Sequence, residues 1–376
     1  MIDLHHHGDA ELAPGLLDLA VNVCTDPPPE WLTAAILSAC GRLAAYPDPR
    51  AATLAVAARH GRPAEEVLLT AGAAEAFTLI AHAVPRGRAS VVHPQFTEPE
   101  VALNAAGWTV DHVLLDGTDG FALHPDRVRE DCTLVVVGNP TNPTGTLHPR
   151  SALRALGRPG RVVVVDEAFL DSVPDGPESL ADADDLTGML IVRSLTKTWG
   201  LAGLRVGYLL GDATLIAQCA RVQPHWSVSS PALASAVVCS SAAAQDEAHR
   251  RAARVTAARE LLRDGLHARG LRTVDASVGP FLLAAHPLRP AVHAALRRLG
   301  IAVRRADTFP GLGEGWIRIS VRDEDAREAL LDALDHLLDG ASRPHPRPGL
   351  VTLVSGGPGA AGQITVDGLV IADPAV

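Results

Sequence analysis

Ser194-Leu195-Thr196-Lys197-Thr198-Trp199-Gly200 holds the only lysine in a chain of 376 residues. Lysine and arginine together number 33, so every other member of that pair is an arginine. The two are not equivalent. A lysine amine can shed its proton and add to a carbonyl carbon, whereas a guanidinium, with a pKa above about 12, stays charged. Position 197 therefore reads either as a nucleophilic amine or as one residue that escaped a drift toward arginine. Its neighbours have to decide.

Outward from that stretch, short apolar runs alternate with helical patterns. Strands are expected at 67–70, 89–93, 134–138, 162–166, 190–193 and 206–210. Helical patterns run from Glu30 to Ala45 and from Gly72 to about Val84. The apolar runs are continuous and valine-rich, the pattern of a mostly parallel sheet covered on both faces. Ligands of such sheets sit beyond the carboxyl ends of the strands. That rule makes Asn142, in Asn139-Pro-Thr-Asn-Pro-Thr-Gly145, and Asp166, in Val165-Asp-Glu-Ala-Phe169, candidates for one cleft. The chain divides into an irregular N-terminal arm (1–29), a large domain (30–246) and a smaller α/β domain opened by a linking helix (247–341). Strands of the smaller domain are expected at 279–285 and 316–321. A Pro/Gly-rich tail (342–376) follows.

The formal net charge is −10, which argues against nucleic acid or an anionic membrane as a main partner. No apolar run approaches the roughly 18 residues a membrane span needs. Five scattered cysteines without a C-x-x-C spacing fit a reduced, cytoplasmic setting, and no signal peptide is read at the N-terminus. His5-His6-His7 is not read as a metal site, because three adjacent side chains cannot all face one ion in regular structure. No other metal-ligand spacing is read.

Pyridoxal phosphate needs an amine, a carboxylate beside its pyridine nitrogen, donors for its phosphate and a group for its ring 3-oxygen. Lys197, Asp166 and Asn142 supply the first, second and fourth. Ser194 and Arg205 flank the lysine and can hold phosphate through charge-assisted hydrogen bonds. Gly72-Ala73-Ala74-Glu75 opens a helix after a strand, so its backbone N–H groups form an anion site. Glu75 reads as a helix-start charge.

The order Tyr46-Pro-Asp48, Asn139–Gly145, Asp166-Glu-Ala-Phe169 and Ser194–Tyr208 resembles the class I/II aminotransferases of pyridoxal phosphate fold type I, over nearly the whole chain to about residue 340. The resemblance implies an α/β fold with a mostly parallel mixed sheet between helices and a smaller C-terminal α/β domain. It implies that Lys197 binds the cofactor covalently and moves protons, with Asp166 at the pyridinium and Asn142 at the 3-oxygen. Ser194, Arg205 and the Ala73–Ala74 backbone would hold the phosphate, and Phe96 would stack on the ring. Tyr46 would reach the phosphate of a neighbouring subunit, which implies a homodimer with shared sites. Arg318, in preference to Arg322, would grip a substrate carboxylate.

Within the family the chain resembles both the histidinol-phosphate aminotransferases and the L-threonine-phosphate decarboxylases of cobalamin synthesis. Phe169, Trp226-Ser-Val228, the start His7-Gly-Asp9 with Leu17–Asn22, and a tail resembling the opening of tetrapyrrole methyltransferases tilt the expectation toward decarboxylation of L-threonine phosphate. Ser229 and Cys24 depart from that pattern. Arg322, His7 and Asn22 are the expected donors for a substrate phosphate. A histidinol-phosphate-type transaminase is the alternative, and a non-catalytic binding protein on the same fold is a third reading.

Overall fold

The computed structural model describes residues 2–286 and 291–339, so the tail and its methyltransferase-like motif lie outside the described residues. The strands are β1 (Leu17–Leu19), β2 (Val67–Thr70), β3 (Arg88–His93), β4 (Thr109–Leu114), β5 (Leu134–Gly138), β6 (Val162–Asp166), β7 (Met189–Ser194), β8 (Gly207–Gly211), β9 (Arg272–Thr273), β10 (Phe281–Ala285), β11 (Ile301–Arg305) and β12 (Trp316–Ser320). Seven of them form one sheet in the order β2-β8-β7-β6-β5-β3-β4, and the other five form a second, β1-β11-β12-β10-β9. The large sheet is parallel except for β8, which runs antiparallel to both neighbours.

The valine runs explain this placement. Val163, Val164 and Val165 of β6 are all fully buried, with Val163 and Val165 facing one hydrophobic core and Val164 the other. A strand covered on both faces gains about 1.5–3 kcal/mol from each such side chain relative to leaving it exposed. β5 to β8 and β3 follow the same logic.

The arm departs from the sequence expectation of an irregular segment. Leu17–Leu19 adds to the small sheet as β1, parallel to β11, with Leu17 opposite Ile301 and Leu19 opposite Val303. A three-residue strand carries no readable period, and its partner lies far along the chain. The helix expected from 30 to 45 ends at Cys40. The expected linking helix spans Ala242–Ala268. Among the described residues no helix is long and apolar enough to cross a membrane.

Candidate active site

One edge of the large sheet collects the expected residues. β3, β5, β6 and β7 run parallel and end there, leading into Phe96, Asn142, Asp166 and Lys197. β2 leads into the helix Ala73–Ala83, and antiparallel β8 starts at the same edge just after Arg205. Ala73, Ala74, Phe96, Asn142, Asp166, Ser194, Lys197 and Arg205 all line one cavity. Ala168, Phe169 and Thr196 complete it and were not singled out as cofactor contacts from sequence. Thr196 was legible only as a neighbour. Its hydroxyl lies 2.7 Å from that of Ser194.

Lys197 sits in the short helix Thr196–Trp199, with its amine 5.6 Å from the Phe169 ring centroid. Burial lowers its pKa to about 8, helped by the charge of Arg318 and opposed by that of Asp166. Asp166 is buried and accepts one hydrogen bond, from the Ala168 amide at 3.0 Å. Burial raises its pKa to about 6. The Lys197 charge offsets that desolvation only in part, and a pyridinium nitrogen would supply a further cation. Gly72 has φ +81°, and a Cβ there would lie 2.7 Å from Arg205 Nη2. The glycine thus leaves the guanidinium room over the first turn of the Ala73–Ala83 helix. Arg205 itself has a left-handed backbone, φ 56°, a conformation that clusters at functional sites. These residues fit pyridoxal phosphate.

Below the cavity runs a charge cluster that sequence reasoning missed. Arg193 donates to Glu167 at 2.9 Å and to Asp171, and Arg59 donates to Asp171 at 2.9 Å. All four are buried or nearly so. Only Glu167, inside the motif at 166–169, gave any signal.

The small sheet meets the cavity residues through Asn142. Arg318, on β12, donates from Nη1 to Asn142 Oδ1 at 2.6 Å and from Nη2 to the Ala20 carbonyl, and its Nε has no partner. Burial, with the charges of Arg304 and Arg322, pushes its pKa well down. Among the described residues no carboxylate pairs with it. Arg322 is placed differently from the expectation. Its Nε donates to the Asp18 carbonyl at 3.2 Å, Nη1 to the Val23 carbonyl at 3.1 Å and Nη2 to the Val21 carbonyl. These bonds tie the arm to the small sheet and occupy every nitrogen of the side chain.

Asn22 is buried, accepts from the Ser320 hydroxyl at 2.6 Å, and leaves its Nδ2 without a partner. It lines a second cavity that also touches Lys197. His7 lies with its ring 5.5 Å from that of Phe96 and its Nε2 2.6 Å from Glu98. Tyr46 is not in the cavity of its own chain. It is 75% exposed and stacks on Trp226 at 4.2 Å. Ser229, one of the departures from the decarboxylase pattern, caps the helix Ser230–Cys239 by accepting from the Ala232 amide.

The family model for aminotransferase class I and II matches residues 14–334. A histidinol-phosphate aminotransferase of Mycobacterium tuberculosis is 47% identical over 322 residues, covering 85% of this chain and 87% of the relative. The crystal structure of histidinol-phosphate aminotransferase from Clostridium acetobutylicum superposes with a TM-score of 0.79 at 21% identity, covering 86% of this chain and all of that one. The L-threonine-O-3-phosphate decarboxylase from Porphyromonas gingivalis does so with a TM-score of 0.75 at 22% identity, covering 85% and 98%. The two solved structures share the fold. With 321 matched residues carrying the motifs that converge on the cavity, the chain belongs to the class I and II aminotransferases, and its cofactor is pyridoxal 5'-phosphate.

Proposed function

We propose that the protein is a transaminase that takes its amino group from a phosphorylated amine, with histidinol phosphate the first candidate, and passes it to a 2-oxo acid. The observation that carries this reading is the contrast between Arg318 and Arg322. Among the described residues Arg318 is a buried cation with no carboxylate partner, and a guanidinium holds a phosphate or a carboxylate in the same two-pronged manner. One such site can serve a phosphorylated amine and then a 2-oxo acid in turn. L-threonine phosphate carries both anions at once and needs two sites. Arg322, the expected second donor, is spent on the arm. The 47%-identical relative is named as a histidinol-phosphate aminotransferase, which supports the same reading over the decarboxylase expected from sequence.

The bound cofactor supplies an electron sink for the bonds at the substrate's Cα. The chain supplies the rest. The Lys197 amine, with a pKa near 8, is neutral in a useful fraction near neutral pH and can take a proton from the substrate Cα and return it. Asp166, as an anion, would hold the proton on the pyridine nitrogen of the bound cofactor. Asn142 links the two halves, since its Oδ1 already accepts from Arg318 while its amide remains to donate into the cavity. The 73–74 amides, Ser194 and Arg205 hold the phosphate of the cofactor. Phe96 covers the ring, and His7 packs against Phe96 from the arm side.

The decarboxylase reading retains one specific support. Phe169 puts a ring without a hydroxyl at the cavity wall, as the resemblance to the decarboxylases implies. A homodimer belongs to the proposal as well. Tyr46 and Trp226 are exposed and stack on each other, which leaves the tyrosine free to meet a second subunit.

The test is to incubate holoprotein with histidinol phosphate and 2-oxoglutarate, and separately with L-threonine phosphate, following glutamate and CO₂. Glutamate from the first mixture supports the proposal. CO₂ from the second without glutamate from the first overturns it in favour of decarboxylation. Lack of visible cofactor absorbance, with neither product, leaves a binding protein. Mixing Tyr46→Phe with Lys197→Ala subunits should restore activity, and a fully active monomer by sedimentation removes the dimer.

A further inference from the structure

His93 ends β3, His112 lies in β4, and Glu100 sits in the first turn of the helix Glu98–Ala105 packed beside them. Their ligand atoms all lie within 4.8 Å of one another. Glu100 bridges the two imidazoles, with one oxygen 2.8 Å from His93 Nε2 and the other 2.8 Å from His112 Nε2. The rings are 4.7 Å apart at 67°.

We propose that His93, Glu100 and His112 bind one divalent d-block cation, of the zinc or cobalt class, which clamps the base of the loop that carries Phe96.

Two imidazole nitrogens and a carboxylate oxygen suit such ions. Magnesium and calcium call for oxygen-only shells. The three side chains come from two adjacent strands and a helix, so they are held in place before any ion arrives. His93 is fully buried and its Nδ1 has no hydrogen-bond partner. Its ring is held by packing, edge-on to His112, and moving the ring proton to Nδ1 frees Nε2 as a ligand. His112 has 36% of its side chain exposed, which gives an entry path and leaves a coordination position for water, as tetrahedral sites with three protein ligands do.

The placement gives the ion a task. Phe96 follows His93 by three residues. The next two side chains hold the arm, through the Thr97 hydroxyl to the Leu4 carbonyl at 2.6 Å and Glu98 to His7 at 2.6 Å. An ion at the end of β3 would fix both the ring cover and the arm anchor. Glu11 also lies between two imidazoles, His6 and His293, each at 2.9 Å, but among the described residues the His93–Glu100–His112 group is the one whose ligand atoms all lie within 4.8 Å of one another.

The experiment strips the holoprotein with a chelator and titrates it with Co²⁺, reading the visible d–d absorption. Equilibrium dialysis against Zn²⁺ with metal analysis runs in parallel. One ion per chain is expected, retained in His5→Ala and lost in His112→Ala or in the shape-preserving Glu100→Gln, each shown folded by circular dichroism. Binding of no ion by the wild type, or its persistence in both variants, overturns the site and leaves a hydrogen-bonded carboxylate between two imidazoles. Transaminase activity does not enter this readout, so its failure and that of the proposed function are distinguishable.

Discussion

Two buried arginines frame the active site and are satisfied in opposite ways. Arg193, under the cofactor cavity, meets Glu167 and Asp171. Arg318, behind Asn142, meets an amide oxygen, a backbone carbonyl and the face of the Phe281 ring, and among the described residues has no carboxylate partner and one idle nitrogen. Removing one partner of a buried pair is costly because the other charge is left uncompensated. The first cluster is closed and holds the floor rigid. The second is short of one anion, and a substrate can bring it. An incomplete charge balance, more than burial, separates the binding arginine from the structural one.

The strongest challenge to this picture leaves both arginines alone. Lys197→Arg keeps the charge at the centre and removes the nucleophile. Turnover should fall by roughly 10⁴-fold, the upper range for a lost acid–base group, and borohydride should no longer fix cofactor to the chain. On the wild type the label belongs at Lys197. Finding it on the N-terminal amine would sink the assignment.

Arg193→Ala should cost about 3–5 kcal/mol of stability by stranding Glu167 and Asp171, read as a fall in Tm with and without substrate. Arg318→Ala should cost less, about 1–3 kcal/mol from stranding the Asn142 oxygen and the Ala20 carbonyl, since no carboxylate is stranded. It should raise KM by about 10- to 150-fold, the worth of a charged hydrogen bond of about 1.5–3 kcal/mol. If the two variants behave alike, the contrast between closed and open clusters fails.

The mildest effect is on cofactor capture by the apoprotein. Lys197 is depressed to about 8 and Asp166 raised to about 6. Below pH 8 the amine is increasingly protonated, so the capture rate should climb with pH by up to about tenfold per unit and level off above 8. Below about pH 6 Asp166 also becomes neutral and affinity should drop further. A rate still climbing at pH 10 would mean an ordinary lysine.

Much of the cofactor half was legible because its residues stand at strand ends in contiguous stretches. Asn142 follows β5, Asp166 closes β6, Ser194 closes β7 and Lys197 follows it. Continuous valine runs place those ends on one edge, so local pattern and site coincide. Of the substrate half, Arg318 was named from the sequence, and the placement of Arg322 was not legible. Arg322 reaches the Asp18 carbonyl 304 residues away in sequence, and nothing near position 322 announces that contact. The same is true of β1, and of Arg193 meeting Asp171.

By itself, then, the sequence determined the residue types that chemistry demands and the family that orders them: one amine, one carboxylate at a strand end, and the phosphate donors beside them. These follow from covalent identity and short-range spacing. Tertiary structure alone decided how each arginine is satisfied. Arg318 and Arg322 lie four residues apart and carry the same group, yet Arg322 has its nitrogens saturated by the arm's carbonyls while Arg318 reaches the cavity residue Asn142 and keeps its Nε without a partner. Whether a charge can take a ligand depends on burial and on which distant backbone oxygens reach it, and those quantities exist only once the chain has folded.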